Sequence, residues 1–109
     1  MPNLGSSLSG TRVTLANLVS GAGLVKNVDM PSANNEYSHT FAAGIKHFVI
    51  RNRDNGVIKL SFTATESGTT YFTIYPGESF DSAPLDGTAV TIYFQSPKTS
   101  QTLEVIEWS

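Results

Sequence analysis

The stretch GIKHFVIRNRDNGVIKLSFTAT, residues 44–65, predicts the fold class more directly than any other part of the chain. Two apolar-rich runs, residues 48–53 and 57–65, flank Asp54, Asn55 and Gly56. An Asn-Gly pair is favoured where both central residues of a tight turn need a positive φ. The sequence therefore predicts a β-hairpin at this place.

The second arm of this hairpin alternates between apolar and polar residues. Its predicted core face carries Ile58, Leu60, Phe62 and Ala64. A period of two, with β-branched and aromatic residues, is typical of a strand that is buried on one face. In the first arm Phe48 and Val49 point in opposite directions, so the pattern leaves the core face of that arm open.

The rest of the chain also has the pattern of short strands. Further strands are predicted at residues 11–19, 24–30, 37–41, 71–75, 78–80, 89–95 and 102–108. Pro76 and Gly77 suit the second and third positions of a type II turn. Roughly seven to nine short strands separated by Gly, Pro and Asn turns fit an all-β, antiparallel, two-layer β-sandwich. Its strand order is jelly-roll-like or immunoglobulin-like, and we favour the jelly roll.

Length and composition limit the function classes. With 109 residues, the chain is predicted to form a flexible polar arm at residues 1–10 and a single sandwich domain at residues 11–109. A net charge of −2 argues against binding nucleic acid through its phosphates. The absence of Cys excludes a disulfide framework and a thiolate zinc site. Neither a signal peptide nor an apolar run of about 18 residues is apparent, so no membrane partner is expected.

The polar residues do not form a pattern typical of catalysis. His39 and His47 lack the short, paired spacing with carboxylates that metal sites display, and each is expected to face solvent or make an ordinary hydrogen bond. The segment from Asp81 to Asp86 supplies too few oxygen ligands for calcium. We therefore expect no catalytic residue, no metal, no cofactor and no enzymatic activity.

Aromatic and apolar residues are the stronger functional candidates. Tyr71, Tyr75 and Tyr93 are predicted to lie opposite the core residues of their strands, while Ile106 and Trp108 lie where the last strand is apolar on both faces. Exposed aromatic side chains concentrate binding energy in protein interfaces and also stack on sugar rings. These five residues are candidates for a subunit interface or for ligand stacking. The alternative is that loops cover some of them.

Three runs in the C-terminal part of the chain, FVIRNRDNGVIKLSFTA, TTYFTIYPGESF and VTIYFQSPKTSQTLEVIEWS, resemble small β-sandwich structural proteins of tailed-bacteriophage virions. The resemblance covers residues 44–109 and consists of structural motifs, so no binding residue can be carried over from it.

The resemblance implies a non-enzymatic role in the virion, which is assembled in the host cytoplasm. The implied function is a capsid decoration (cement) protein that binds the major capsid protein as a homo-oligomer, with a trimer as one such state. A head-tail or fibre component is the alternative within the same class. From the residues alone, a carbohydrate-binding or receptor-binding sandwich is a competing hypothesis, with Tyr71, Tyr75, Tyr93 and Trp108 as a platform for a glycan.

Overall fold

The computed structural model describes residues 22–109, in which every regular element is a β-strand. The predicted arm at residues 1–10 and the predicted strand at 11–19 lie outside the described residues. The strands are β1 (Leu24–Met30), β2 (Tyr37–Phe41), β3 (His47–Asn52), β4 (Ile58–Ser61), β5 (Phe72–Ile74), β6 (Ser79–Asp81), β7 (Val90–Gln95) and β8 (Gln101–Trp108). The prediction was right to the residue for β1 and β2.

The eight strands form two antiparallel sheets with the orders β1-β8-β3-β6 and β2-β7-β4-β5. We call these the first and the second sheet. Four of the pairs are nested in sequence, namely β1 with β8, β2 with β7, β3 with β6 and β4 with β5. The chain therefore resembles one long hairpin, with its tip at β4 and β5, rolled into two layers. This order is that of a jelly roll and not of an immunoglobulin domain, and the predicted all-β antiparallel sandwich is confirmed.

The hairpin predicted between residues 48 and 65 is wrong. β3 belongs to the first sheet and β4 to the second, so the connection between them crosses from one layer to the other. Neither Asn55 nor Gly56 is among the described residues with a positive φ, so the Asn-Gly pair does not form the expected turn. The within-sheet hairpin next to this point is β4 with β5, where Leu60 faces Phe72.

The crossover is held by a buried side chain that the turn pattern did not reveal. Asn52, the last residue of β3, is fully buried, and its Nδ2 donates to Gly56 O at 2.7 Å and to Ile74 O at 2.9 Å. Gly56 N donates to Gln101 Oε1 at 2.9 Å. A Cβ on Gly56 would lie 2.9 Å from that same oxygen, so the glycine is needed for close approach and not for its φ.

The core lies between the sheets and is formed by the inward face of each strand. Its fully or almost fully buried apolar residues are Met30, Phe41, Ile45, Phe48, Ile50, Ile58, Leu60, Ile74, Ile92, Phe94, Leu103 and Val105. Phe48 and Ile50 thus define the core face of β3. The prediction that Phe62 and Ala64 continue the core face of β4 is wrong, because the strand ends at Ser61, whose Oγ accepts from Thr63 N. Both residues are exposed.

The turn predicted at Pro76 and Gly77 is confirmed. Gly77 has φ 83°, and Glu78 N donates to Tyr75 O at 2.9 Å, as a type II turn requires. This turn connects β5 in the second sheet to β6 in the first. It also sets the position of Tyr75 at the edge of the second sheet.

Candidate interaction surfaces

The five candidate residues are divided between the two outer faces of the sandwich. Along β5, Phe72 and Ile74 pack against or within the core, so Tyr71 and Tyr75 lie on the outer side of the second sheet. Tyr93 lies between the buried Ile92 and Phe94 on the same sheet. On β8, Leu103 and Val105 face inward, which places Ile106 and Trp108 on the outside of the first sheet. The structure therefore does not bring the three tyrosines and Trp108 together on one face, as a single glycan platform would need.

Three apolar side chains lie side by side on the outer face of the first sheet. Val25 on β1 is directly opposite Ile106 on β8, and Ile106 is directly opposite Val49 on β3. Val25 is 62% exposed, while Val49 and Ile106 are half-buried. Cβ atoms of directly opposite residues lie about 4.5–5.5 Å apart, so the three form a continuous apolar row. The sequence pattern identified Ile106 as a candidate but not Val25 and Val49, because the pairing of three strands determines which residues lie next to Ile106.

Trp108 extends the apolar row at one end of the sheet. A Cβ on Gly23 would lie 2.7 Å from both the Trp108 ring and the Ile106 side chain, so these two side chains cover the glycine backbone. The Trp108 ring also lies 5.2 Å from the His47 ring, measured between centroids. The indole is thus held between Gly23, which directly precedes β1, and His47 of β3, and it is half-buried.

Charges of both signs border the apolar row on its other side. Arg51 on β3 is directly opposite Glu104 on β8, and Glu104 is directly opposite Asn27 on β1. Arg53 Nη1 lies 3.1 Å from Glu104 Oε2. An outer face with one sign of charge would repel a second copy of itself, whereas this face carries both signs.

The second sheet presents tyrosines instead of aliphatic residues. Tyr71 is 41% exposed and Tyr75 57% exposed, at the two ends of β5. Lys59 Nζ lies 5.0 Å from the centre of the Tyr71 ring, within the range of a cation–π contact. Tyr93 is half-buried and lies opposite Ser38 on one side and Ser61 on the other. The tyrosines are therefore unequal, with Tyr71 and Tyr75 the more accessible.

The loop that leads into Tyr71 is held by Glu36, which precedes β2. Its carboxylate accepts from Thr65 N at 2.9 Å, from Ser67 N at 3.1 Å and from the Ser67 hydroxyl. The hydrogen bond from the Ser67 hydroxyl is the main cause that lowers the pKa of Glu36 below 4.5, and burial opposes it only in part. Thr65 takes a positive φ of 67° in this loop. The hydrogen bonds that hold this loop are therefore made to the ionised carboxylate of Glu36 and weaken when low pH protonates it.

A chain of polar contacts joins Ser82, His47 and Asp81. Ser82 Oγ accepts from Phe48 N at 2.9 Å and lies 3.2 Å from His47 Nδ1, while His47 Nε2 lies 3.4 Å from Asp81 Oδ1. A hydrolytic triad has an accessible serine and a buried aspartate that orients the histidine. Here Ser82 is 9% exposed and the Asp81 side chain is 76% exposed. These contacts fix β6 against β3 and do not fit a nucleophilic serine.

His39 makes the ordinary hydrogen bond that was expected. Its Nε2 lies 3.0 Å from Glu107 Oε2, and Lys26 Nζ lies 3.6 Å from the same oxygen. The partner is 68 residues away in sequence, so residue spacing could not have indicated it. Within residues 22–109, no group of three or more His, Cys, Asp or Glu side chains is placed to hold a metal ion. No helix in that same range is long and apolar enough to cross a membrane.

Comparisons with known proteins support the fold. No protein-family model and no curated protein sequence matches this chain. Among solved structures, a de novo designed double-stranded beta-helix is similar, with a TM-score of 0.54 and 17% sequence identity. The matched region covers 79% of this chain and 99% of the designed protein. A cupin-2 domain containing protein from Shewanella frigidimarina NCIMB 400 is also similar, with a TM-score of 0.50 and 13% sequence identity. That match covers 93% of this chain and 92% of the cupin-2 protein. At these identities the similarity defines a shared double-layered β-fold.

Proposed function

We propose that this protein is a non-enzymatic structural component of a tailed-phage virion that decorates the capsid and self-associates through the outer face of its first sheet. Two lines support the proposal. The first is the resemblance of residues 44–109 to small virion sandwiches. The second, which carries it, is the apolar row formed by Val25, Ile106 and Val49 with Trp108 at its end.

The chemistry of the apolar row favours a second copy of the chain as its occupant. Large apolar side chains on an outer sheet face are typical of a surface that becomes buried in an assembly. The neighbouring Arg51 and Glu104 are opposite in charge, so a symmetric contact brings unlike charges within reach of each other. Repetition of such a contact over a capsid lattice multiplies a weak interaction.

Light scattering of the purified protein over a concentration series tests self-association. We expect an oligomer whose mass is a multiple of 11.7 kDa. Contact of the apolar row with the same row of a second copy gives a dimer, whereas a trimer, the state that the resemblance names, needs a different patch on the partner. Trp108→Ala should weaken association by about 2 kcal/mol, roughly thirty-fold, as buried aromatic anchors do. Because Trp108 also covers Gly23, Val25→Glu is the cleaner variant. Val25 is 62% exposed, so its change should dissociate the oligomer and leave the fold of the single chain intact. The melting temperature should fall only by the contribution of association.

Tyr75→Ala, on the opposite sheet, is the matched control and should leave the mass unchanged. A strict monomer at all concentrations, or an oligomer that is indifferent to Val25→Glu, would remove the apolar row as the self-association surface. The capsid role is tested separately, by cosedimentation with purified heads of the phage that encodes the protein. Failure to bind heads, tails or complete virions would overturn the virion role.

The exposed tyrosines favour a second candidate function, a carbohydrate-binding or receptor-binding module. Tyr71 is 41% exposed and Tyr75 57% exposed, and Lys59, whose Nζ lies over the Tyr71 ring, supplies a hydrogen-bond donor. Sugars are commonly bound by such a combination of aromatic faces and polar groups. A glycan array separates the two functions: specific binding that Tyr71→Ala abolishes and Val25→Glu preserves would favour this second candidate.

A further inference from the structure

Asn55 and Gly56 do not form the predicted turn, but they are the one Asn-Gly pair of the chain. In such a pair the backbone nitrogen of the glycine can attack Cγ of the asparagine, since glycine has no Cβ to hinder the approach. The nitrogen loses its proton and bonds to Cγ, while the bond from Cγ to Nδ2 breaks and the leaving nitrogen takes up a proton and departs as ammonia. Water then opens the succinimide ring to aspartate or isoaspartate. The pair therefore has the chemistry of spontaneous deamidation.

The two reacting groups lie in different surroundings. Asn55 is exposed, so its side-chain carbonyl is accessible to solvent. Gly56 is buried, and its N–H donates to Oε1 of the buried Gln101 at 2.9 Å. Attack requires that this N–H lose its proton and turn toward Asn55 Cγ, and both changes break the buried hydrogen bond. The fold thus exposes the electrophile and withholds the nucleophile.

Contacts on both sides of Asn55 hold the main chain in this arrangement. On one side, Asp54 Oδ2 accepts from Thr102 N, at the start of β8, at 2.7 Å. On the other side, Gly56 O accepts from Nδ2 of the buried Asn52, at the end of β3, at 2.7 Å. The peptide unit between Asn55 and Gly56 is therefore anchored to β3 and β8, and it can reorient only when the hydrogen bonds of Gly56 open together.

We infer that Asn55 is a deamidation site that Gln101 protects, so that the reaction proceeds only from molecules in which the crossover has opened and released the Gly56 N–H. The rate in the folded protein then equals the rate in the unfolded chain multiplied by the fraction of open molecules. Isoaspartate lengthens the main chain by the Cβ atom of residue 55, which moves Gly56 O away from Asn52 Nδ2 and destabilises the crossover. The inference rests on these contacts and does not depend on the virion role.

Peptide mapping by mass spectrometry measures the reaction in the full-length protein. Trypsin cleaves after Arg53 and Lys59 and releases residues 54–59, in which Asn55 carries the single side-chain amide. The protein is aged at mildly alkaline pH, with and without guanidinium chloride, and deamidation of this peptide is followed over time. We expect the folded protein to react at least about twenty-fold more slowly than the unfolded chain, because two buried hydrogen bonds of Gly56 must open. Equal rates would overturn the inference.

Two variants separate local protection by Gln101 from the overall stability of the fold. Gln101→Met keeps the length of the side chain and removes the oxygen that binds Gly56 N, so deamidation should accelerate about five- to thirty-fold. Glu36→Gln is the matched control, since it removes the charge that holds residues 65–67 and does not touch the crossover. Its deamidation rate should equal that of the wild type. Equal acceleration in both variants would indicate that the reaction requires global unfolding, and the protecting role of Gln101 would then be wrong.

Hydrogen exchange of the wild-type protein gives a test that needs no variant. The Gly56 amide proton exchanges only when its hydrogen bond to Gln101 opens, so its protection reports the fraction of open molecules. The factor by which folding slows exchange at Gly56 should therefore match the factor by which folding slows deamidation at Asn55, within about ten-fold. A Gly56 amide that exchanges as fast as in the unfolded chain, or two factors that differ by more than this margin, would overturn the inference.

Discussion

Replacement of Asn52 by alanine tests the physical reason why residues 44–65 form a crossover and not a hairpin. The Asn52 amide is fully buried at the end of β3, where it binds the carbonyls of Gly56 and Ile74 at 2.7 Å and 2.9 Å. It therefore joins the crossover connection to the last residue of β5. The variant removes both hydrogen bonds and leaves two carbonyl oxygens of the buried residues Gly56 and Ile74 without these donors.

The expected loss of stability follows from these contacts. Each carbonyl left without its donor costs about 1–3 kcal/mol. A second effect opposes this loss. Asn52 Oδ1 is itself buried and has no hydrogen-bond partner in the described part of the chain, so its removal abolishes a desolvation penalty of about 1–2 kcal/mol. We therefore expect the free energy of unfolding to fall by about 3 kcal/mol. At roughly 4 °C for each kcal/mol, the melting temperature should fall by about 12 °C.

Urea denaturation and thermal melting followed by circular dichroism measure the change, and Asn55→Ala is the matched control. Asn55 is exposed in the same connection and does not have a positive φ, so its replacement should change the unfolding free energy by less than about 0.5 kcal/mol. A type I′ hairpin makes the opposite prediction, since Asn55 would then hold a strained turn position and Asn52 would be an ordinary strand residue. A larger loss for Asn55→Ala than for Asn52→Ala would refute the crossover mechanism.

Three further predictions concern the loops and the first residues. Glu36→Gln should destabilise the protein by about 1 kcal/mol at pH 7. Because the folded pKa of Glu36 lies below 4.5, this advantage of the wild type is lost as pH falls through that folded value, and acid melting curves of both proteins should converge. Gly77→Ala should cost about 1 kcal/mol from its φ of 83°, and Gly56→Ala more, because its Cβ meets Gln101. Deletion of residues 1–10 should leave the melting temperature unchanged but reduce head binding in cosedimentation; an early melting transition would contradict the predicted arm.

Local pattern predicted the strands well and the pairing poorly. Residues 24–30 and 37–41 were assigned correctly because alternation and the neighbouring turns are properties of adjacent residues. The hairpin turn predicted at the Asn-Gly pair was wrong because contacts distant in sequence decide this connection. Asn52 binds Ile74, 22 positions away, and Gly56 binds Gln101, 45 positions away. Each of these contacts exists only after the layers have assembled. A short-range turn preference of about 1 kcal/mol cannot compete with several buried hydrogen bonds.

The candidate surfaces show the same division between local and non-local information. Alternation within β5 and β8 was enough to place Tyr71, Tyr75 and Trp108 outside the core. It could not indicate that Val25 and Val49 flank Ile106, because that depends on the register of three strands. The exposure of Phe62 was missed because the alternation of apolar residues continues past Ser61, where the chain leaves the sheet.

The apolar row lies on the first sheet and the exposed tyrosines lie on the second, so the protein could bind a different partner with each face. Val25 and Tyr71 are separated by the thickness of the sandwich, and packed sheets lie about 10 Å apart, so a partner on one face does not exclude a partner on the other. If the apolar row joins copies and the second sheet contacts another protein, the two free energies of binding should add. The double variant Val25→Glu with Tyr71→Ala should then bind purified heads more weakly than the wild type. The factor should equal the product of the factors for the two single variants, within about two-fold. A loss no greater than that of one single variant would indicate that only one of the two faces is used.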